Sequence, residues 1–291
     1  METPLTLPLE KYYLHFNLQP HLRGKYDIRN SVSLALACDL AYRPEAEVKA
    51  QATAWGFPKV AFLEDKLVEV DTQAFVIGND QAIVVAFRGT ENSTDWRTDL
   101  NFPKVKAMFG HVHKGFRSAL EAVIPDVLAA VDEMRDNNQE LWITGHSLGG
   151  ALATLTTAFY RHQKYDVSGL YTFGSPRVGD EQFDQFFEPN FGRFSFRVVN
   201  GNDIVTRVPP RSFGFHHVGT CVFFDGDGDW KVNPGPWQKF LDQLSVTVEN
   251  ITELTLVDSH LLTGERGYLA ALLKEYQCQH PRLFHYVETQ I

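Results

Sequence analysis

Basic side chains are in short supply in this 291-residue chain: 27 Lys and Arg stand against 36 Asp and Glu, a formal net charge of -9. That balance disfavours nucleic acid or an anionic membrane surface as an electrostatic partner and leaves uncharged or apolar ligands open. Cysteine is scarce too. Cys38, Cys221 and Cys278 cannot all pair within one chain, and their scatter fits no zinc spacing, so they are expected to be buried thiols. The segment from Met1 to Lys11 lacks a basic n-region followed by an unbroken apolar run. No secretory signal is read there, and the expectation is a cytoplasmic chain or one exported by another route. Nothing reads as a transmembrane span, a linker, an internal repeat or a low-complexity run. A single domain over 1–291 is therefore expected, and a 44% hydrophobic fraction can fill a large core.

What is present centres on Leu141-Trp-Ile-Thr-Gly-His-Ser147-Leu-Gly-Gly150. Residues suited to a buried strand run into G-x-S-x-G, and Ala151 to Tyr160 reads as a helix. Gly145 and Gly149 flank Ser147 at two residues either side, so the helix can fold back on the strand while the serine takes a strained conformation. Its hydroxyl then stands at a helix N-terminus, where the dipole favours a nearby anion. Residues 141–160 contain no Lys, Arg, Asp or Glu, which also fits a membrane helix. Three glycines and several threonines among them favour a buried strand and helix instead.

Along the chain, Asn30 to Tyr42 has helical spacing behind Asn30 or Ser31 as N-cap, and a weaker helix covers Glu45 to Trp55. Three strands follow, Lys59 to Glu64, Gln73 to Gly78 and Ala82 to Phe87, the last apolar on both faces as a central strand is. A segment of little periodicity reaches Gly110, then a helix from Lys114 to Arg135, interrupted or bent at Pro125. Gly169 to Gly174 and Phe194 to Asn200 are further buried strands, and Gly267 to Tyr276 a helix. Strands alternating with helices give the expected fold class: α/β, a mainly parallel central sheet flanked by helices on both faces.

An activated serine needs a base, and the base an orienting acid; behind an elbow of this kind the chain order is Ser, Asp or Glu, His. Catalytic groups gather at the carboxyl ends of parallel strands. Asp203 lies three residues past the strand ending at Asn200, whereas Asp166, Asp184 and Glu188 lie on or beside helices. Of the histidines after Ser147, His162 sits on the helix leaving the elbow, and His216 and His217 start a strand at the wrong edge. His260 precedes a helix in a loop that can hang over the site. His260 is the candidate base, His217 the runner-up, and the rest, with His280 and His285, read as satisfied core residues. An oxyanion needs fixed donors: the N–H of Leu148 and that of Thr90, just past the central strand.

With those residues in hand a resemblance is plain. Phe87-Arg-Gly-Thr90, Asp95-Trp96 with Asp99-Leu100, Val112-His-Lys-Gly-Phe116, Gly145-His-Ser-Leu-Gly149, Thr172-Phe-Gly-Ser-Pro-Arg-Val-Gly179, Asn202-Asp203 with Val208-Pro-Pro210, and Asp258-Ser-His260 with Tyr268 resemble the class 3, fungal-lipase-like family of α/β hydrolases. The motifs keep the family's order over about residues 25–280. The resemblance implies an α/β-hydrolase fold and carboxylic-ester hydrolysis on acylglycerols or related acyl esters. It implies Ser147, Asp203 and His260 as triad, Thr90 and Leu148 as oxyanion hole, no cofactor, and His113 and His217 in structural roles. The expected partner is an ester or lipid substrate, with no nucleic acid, no stable membrane insertion and at most transient contact with lipid surfaces.

Departures sharpen the reading. Secreted fungal members carry disulfides and a signal peptide, neither of which is read in this sequence, and Thr263 to Gly267 lengthens the gap between His260 and Tyr268. In the lid segment, about 91–109, the stretch Glu91 to Asp99 offers only Trp96 as a large apolar side chain. A lid that opens onto oil needs an apolar face, so weak interfacial activation and short- to medium-chain or soluble esters are expected unless Phe102, Val105, Met108 and Phe109 form that face. Asp225-Gly-Asp-Gly-Asp229 resembles the start of a calcium loop, but Trp230 replaces the required Gly and Pro236 the bidentate Glu, so it reads as an acidic turn. Two other functions stay open: a catalytically silent lipase-like binding protein, and a feruloyl-type esterase or acyltransferase.

Overall fold

The computed structural model describes residues 9–64, 72–89, 102–162, 165–201, 203–225, 230–232 and 260–289. In chain order its elements are α1 (Ile28–Leu40), α2 (Glu45–Ala54), β1 (Lys59–Glu64), β2 (Gln73–Gly78), β3 (Ala82–Phe87), β4 (Lys104–Ala107), β5 (Gly110–His113) and α3 (Lys114–Met134). Then come β6 (Glu140–His146), α4 (Leu148–His162), β7 (Gly169–Phe173), α5 (Glu181–Phe191), β8 (Ser195–Asn200), β9 (Thr220–Phe224), β10 (Trp230–Val232), α6 (Tyr268–Gln279) and α7 (Pro281–Glu288).

The sheet order is β1-β2-β3-β6-β7-β8-β9-β10. Neighbours from β3 through β9 are parallel, while β1, β2 and β10 pair antiparallel at the two edges. Side-chain alternation along a strand sorts residues onto two faces. Val84 and Ala86 of β3 face a core built with α1 and α6, and Ile83, Val85 and Phe87 face another built with α3, α4 and α5. All six β3 residues are buried, as a strand covered on both sides must be.

Several boundaries differ from the sequence reading for local reasons. The cap of α1 is Asp27, whose carboxylate accepts from Arg29 N at 2.9 Å, while Asn30 lies inside the helix and accepts from Gln19 N at 2.6 Å. Helix α3 runs through Pro125 without interruption. The aperiodic stretch before Gly110 conceals a small hairpin, β4 with β5, separate from the main sheet. Cys38 and Cys221 are buried as expected, but Cys278 is exposed near the end of α6, on the side turned from the core. His285 is likewise at the surface of α7 and not in the core. Among the described residues no helix is long and apolar enough to cross a membrane.

Candidate active site

Strand β6 ends at His146, and the next residue, Ser147, takes φ +57 before α4 begins at Leu148. A non-glycine in the left-handed region costs about 1–3 kcal/mol and persists only where neighbours over-determine it. Here they do. Ser147 N donates to Phe173 O at 2.9 Å and Gly150 N to Ser147 O at 2.9 Å. A Cβ on Gly145 would overlap the Gly149 backbone, and one on Gly149 would overlap the Phe87 carbonyl, so strand and helix are in backbone contact on both sides of the serine. Leu148, first in the helix, presents its N–H at the positive end of α4, where first-turn donors have no intrahelical acceptor.

Asp203 sits just beyond the carboxyl end of β8 and is 1% exposed. Its carboxylate is fully committed. Oδ1 accepts from Val205 N at 2.9 Å; Oδ2 meets His260 Nδ1 at 2.9 Å and accepts from the Tyr268 hydroxyl at 2.6 Å. That hydroxyl also accepts from Asn200 N at 3.2 Å. Burial first, and the Asp203 charge second, push the Tyr268 phenol well above its ordinary range, so it stays a donor. The lengthened gap after His260 does not displace this tyrosine: Tyr268 N donates to Leu261 O and Leu269 N to Leu262 O, which folds the extra residues into turns. Gly174, at φ +60, lies beneath the pair, and a Cβ there would be 2.8 Å from Asp203 Oδ2 and 2.9 Å from His260 Nδ1.

His260 is 5% exposed and its ring lies against that of His146, centroids 4.6 Å apart and planes tilted by 31°. With Nδ1 on the carboxylate, its Nε2 has no hydrogen-bond partner among the described residues, and neither has Ser147 Oγ; both atoms are buried. The arrangement therefore holds an acid–imidazole pair and an unengaged alcohol at one edge of a sheet. The runner-up base is engaged with a different partner: His217 is half-buried with Nε2 2.6 Å from Thr206 O, and desolvation, then Arg197 and Arg177, hold its pKa well below the usual range. His113 caps α3, accepting from Phe116 N at 3.4 Å. Thr90, Trp96 and the rest of the lid before Phe102 lie outside the described residues, as do Asn202, the apolar-containing run Glu253 to Val257 before His260 and Gly226 to Asp229; the side chain of His162 does too. Gly89 is described, and a Cβ on it would be 3.2 Å from Ser147 Cβ, so the end of β3 runs beside the nucleophile elbow. Sequence reasoning missed His146 and Tyr42, whose hydroxyl is 3.1 Å from His146 Nδ1.

A left-handed serine between strand and helix, at the carboxyl edge of a mainly parallel sheet with helices on both faces, defines an α/β-hydrolase fold. Comparison with known proteins agrees. Residues 84–213 match the family model described as lipase (class 3), a span holding most of β3, the elbow and Asp203. A secreted mono- and diacylglycerol lipase of Fusarium solani is 39% identical over 160 residues, 52% of this chain and 47% of that protein. A triacylglycerol lipase of Arabidopsis thaliana is 28% identical over 287 residues, 76% of this chain and 55% of that one. Among solved structures, lipase II of Rhizopus niveus superposes with a TM-score of 0.62 at 28% identity, covering 70% of this chain and 83% of that one. Over residues 84–213 the chain is similar to the class 3 lipase family. It spans about half the length of the curated relatives it matches.

Proposed function

We propose that the chain is a serine carboxylic-ester hydrolase that cleaves acylglycerols or related acyl esters through an acyl-enzyme. The observation that carries this is the buried Asp203–His260 pair, 2.9 Å apart, with His260 Nε2 and Ser147 Oγ both without a hydrogen-bond partner among the described residues at the same sheet edge. In this reading His260 Nε2 takes the Ser147 proton as the oxygen attacks the ester carbonyl. Asp203 holds the ring with Nδ1–H directed at it and stabilises the imidazolium. The N–H groups of Leu148 and Thr90 receive the oxyanion. The imidazolium protonates the leaving alcohol, and water deacylates the enzyme by the same steps in reverse. The names of the relatives, mono-, di- and triacylglycerol lipases, support an acyl ester of glycerol as the substrate class. The polar composition of Glu91 to Asp99 supports soluble or short- to medium-chain esters and weak interfacial activation.

The test is a p-nitrophenyl ester series of increasing chain length on wild type and Ser147→Ala, with a fluorophosphonate probe as a second readout. Turnover and labelling by wild type alone are the expected result, with activity rising smoothly through the solubility limit. If wild type and variant are equally inert, the silent binding-protein reading replaces this one.

A further inference from the structure

His146 precedes the nucleophile, is 5% exposed, and has no part in the acyl-transfer scheme above, yet both its ring nitrogens are engaged. Nε2 lies 2.6 Å from the backbone carbonyl oxygen of His260, and Nδ1 lies 3.1 Å from the Tyr42 hydroxyl. A carbonyl oxygen can only accept, so the proton of this imidazole is on Nε2. Nδ1 is then a bare acceptor, and the Tyr42 O–H must point at it. The Tyr42 oxygen in turn takes the Gly89 N–H, and Gly89 packs so closely that a Cβ there would overlap that hydroxyl and lie 2.8 Å from His146 O. One directional chain thus runs from the end of β3 through Tyr42 and His146 to the backbone of His260.

We propose that His146 is a positioning residue for the base: its neutral Nε2–H tautomer clamps the His260 carbonyl and fixes the base's backbone at one imidazole's width from the elbow. The proposal rests on the hydrolase reading for its kinetic consequence but not for the tautomer. Asp203 holds the His260 ring by Nδ1 alone, and a ring held at one atom can still pivot as its backbone shifts. The clamp removes that freedom, because its other end is the residue bonded to Ser147. Imidazole suits the task because it presents a donor and an acceptor at opposite corners of one rigid plane. Burial, and after it the nearby His260 ring, hold His146 well below the usual histidine range, so the ring remains neutral.

The experiment compares His146→Phe, His146→Gln and Tyr42→Phe on p-nitrophenyl butyrate, with thermal melts on each, and reads the His146 tautomer in wild type by long-range ¹H–¹⁵N spectra of ¹⁵N-histidine-labelled protein. Displacing a catalytic group by about 1 Å costs on the order of 10²-fold. His146→Phe, which keeps volume and loses both bonds, should therefore drop kcat about 10²-fold with KM within about twofold. His146→Gln, which keeps a donor for the carbonyl, should recover to within about tenfold of wild type, and Tyr42→Phe should fall between the two. A folded His146→Phe protein with wild-type kcat would overturn the proposal, and so would a proton found on Nδ1. Should His146→Phe fail to fold, Tyr42→Phe and the tautomer decide it. Should wild type and Ser147→Ala be equally inert, the hydrolase reading fails while the tautomer measurement still tests the clamp.

Discussion

Removing one oxygen from Tyr268 separates bracing of the acid from the chemistry the acid performs. In Tyr268→Phe, Asp203 Oδ2 loses its 2.6 Å donor and Asn200 N loses the acceptor at 3.2 Å, while Val205 N on Oδ1 and His260 Nδ1 on Oδ2 remain. A buried hydrogen bond to a charged group contributes about 1.5–3 kcal/mol. Because Tyr268 and Asp203 are 0% and 1% exposed, no water replaces the lost donor without opening the core, and the destabilisation should be roughly 2 kcal/mol. With an unfolding entropy of about 2.1 cal/mol/K per residue over 291 residues, that lowers the melting midpoint by about 3 °C.

Activity should respond far less. The imidazole keeps its carboxylate partner, so kcat should fall less than about tenfold, against the roughly 10⁴-fold loss that an acid-to-amide change produces in a serine triad by favouring the wrong tautomer. Calorimetry and ester kinetics on Tyr268→Phe and Asp203→Asn make the comparison. A Tyr268→Phe protein that melts with wild type would refute the bond as a stabilising contact. One whose kcat fell to the Asp203→Asn level would refute the division of labour, because the tyrosine would then be moving or holding the reacting proton.

Two further outcomes follow from the same geometry. Gly174→Ala places a Cβ at φ +60 within 3 Å of both Asp203 Oδ2 and His260 Nδ1; splitting that pair should lower kcat by on the order of 10²-fold or more, and wild-type turnover by a folded variant would show that the pair does not matter. His15 is 1% exposed, stacked on Phe284 at 4.4 Å, and burial lowers its pKa from 6.5 to about 4. Above the unfolded value neither state is protonated and nothing is lost; as pH falls from 6.5 toward 4 the unfolded chain takes a proton that the folded one refuses, and stability drops by roughly 3 kcal/mol before levelling. His15→Phe should therefore gain on wild type in urea melts as pH falls through that window, and a pH-independent difference between the two would sink the assignment.

How much of this was legible in the sequence depends on whether a residue's signal is local. The bounds of β1, β2 and β3 can be read because β-branched and aromatic runs end at Gly, Asn and Asp, and the elbow because two glycines are needed where strand and helix backbones touch. Cys278 and His285 went astray because a short apolar list says nothing about which side of an amphipathic helix a residue occupies; at the end of α6 and on α7 both fall on the outer side. The β4–β5 hairpin escaped because Lys104-Val-Lys-Ala107 alternates over four residues only, too few for a period to register. Asp203 could be reached from its place after a strand, since topology alone puts such residues at one edge. His146 could not: beside Ser147 it looks like the variable residue of G-x-S-x-G. Its meaning arises only when a loop 114 residues later lays a carbonyl 2.6 Å from its ring. Groups that react can be recognised by type and order, whereas groups that hold them are defined by a contact across the fold, and a single sequence carries no trace of that contact.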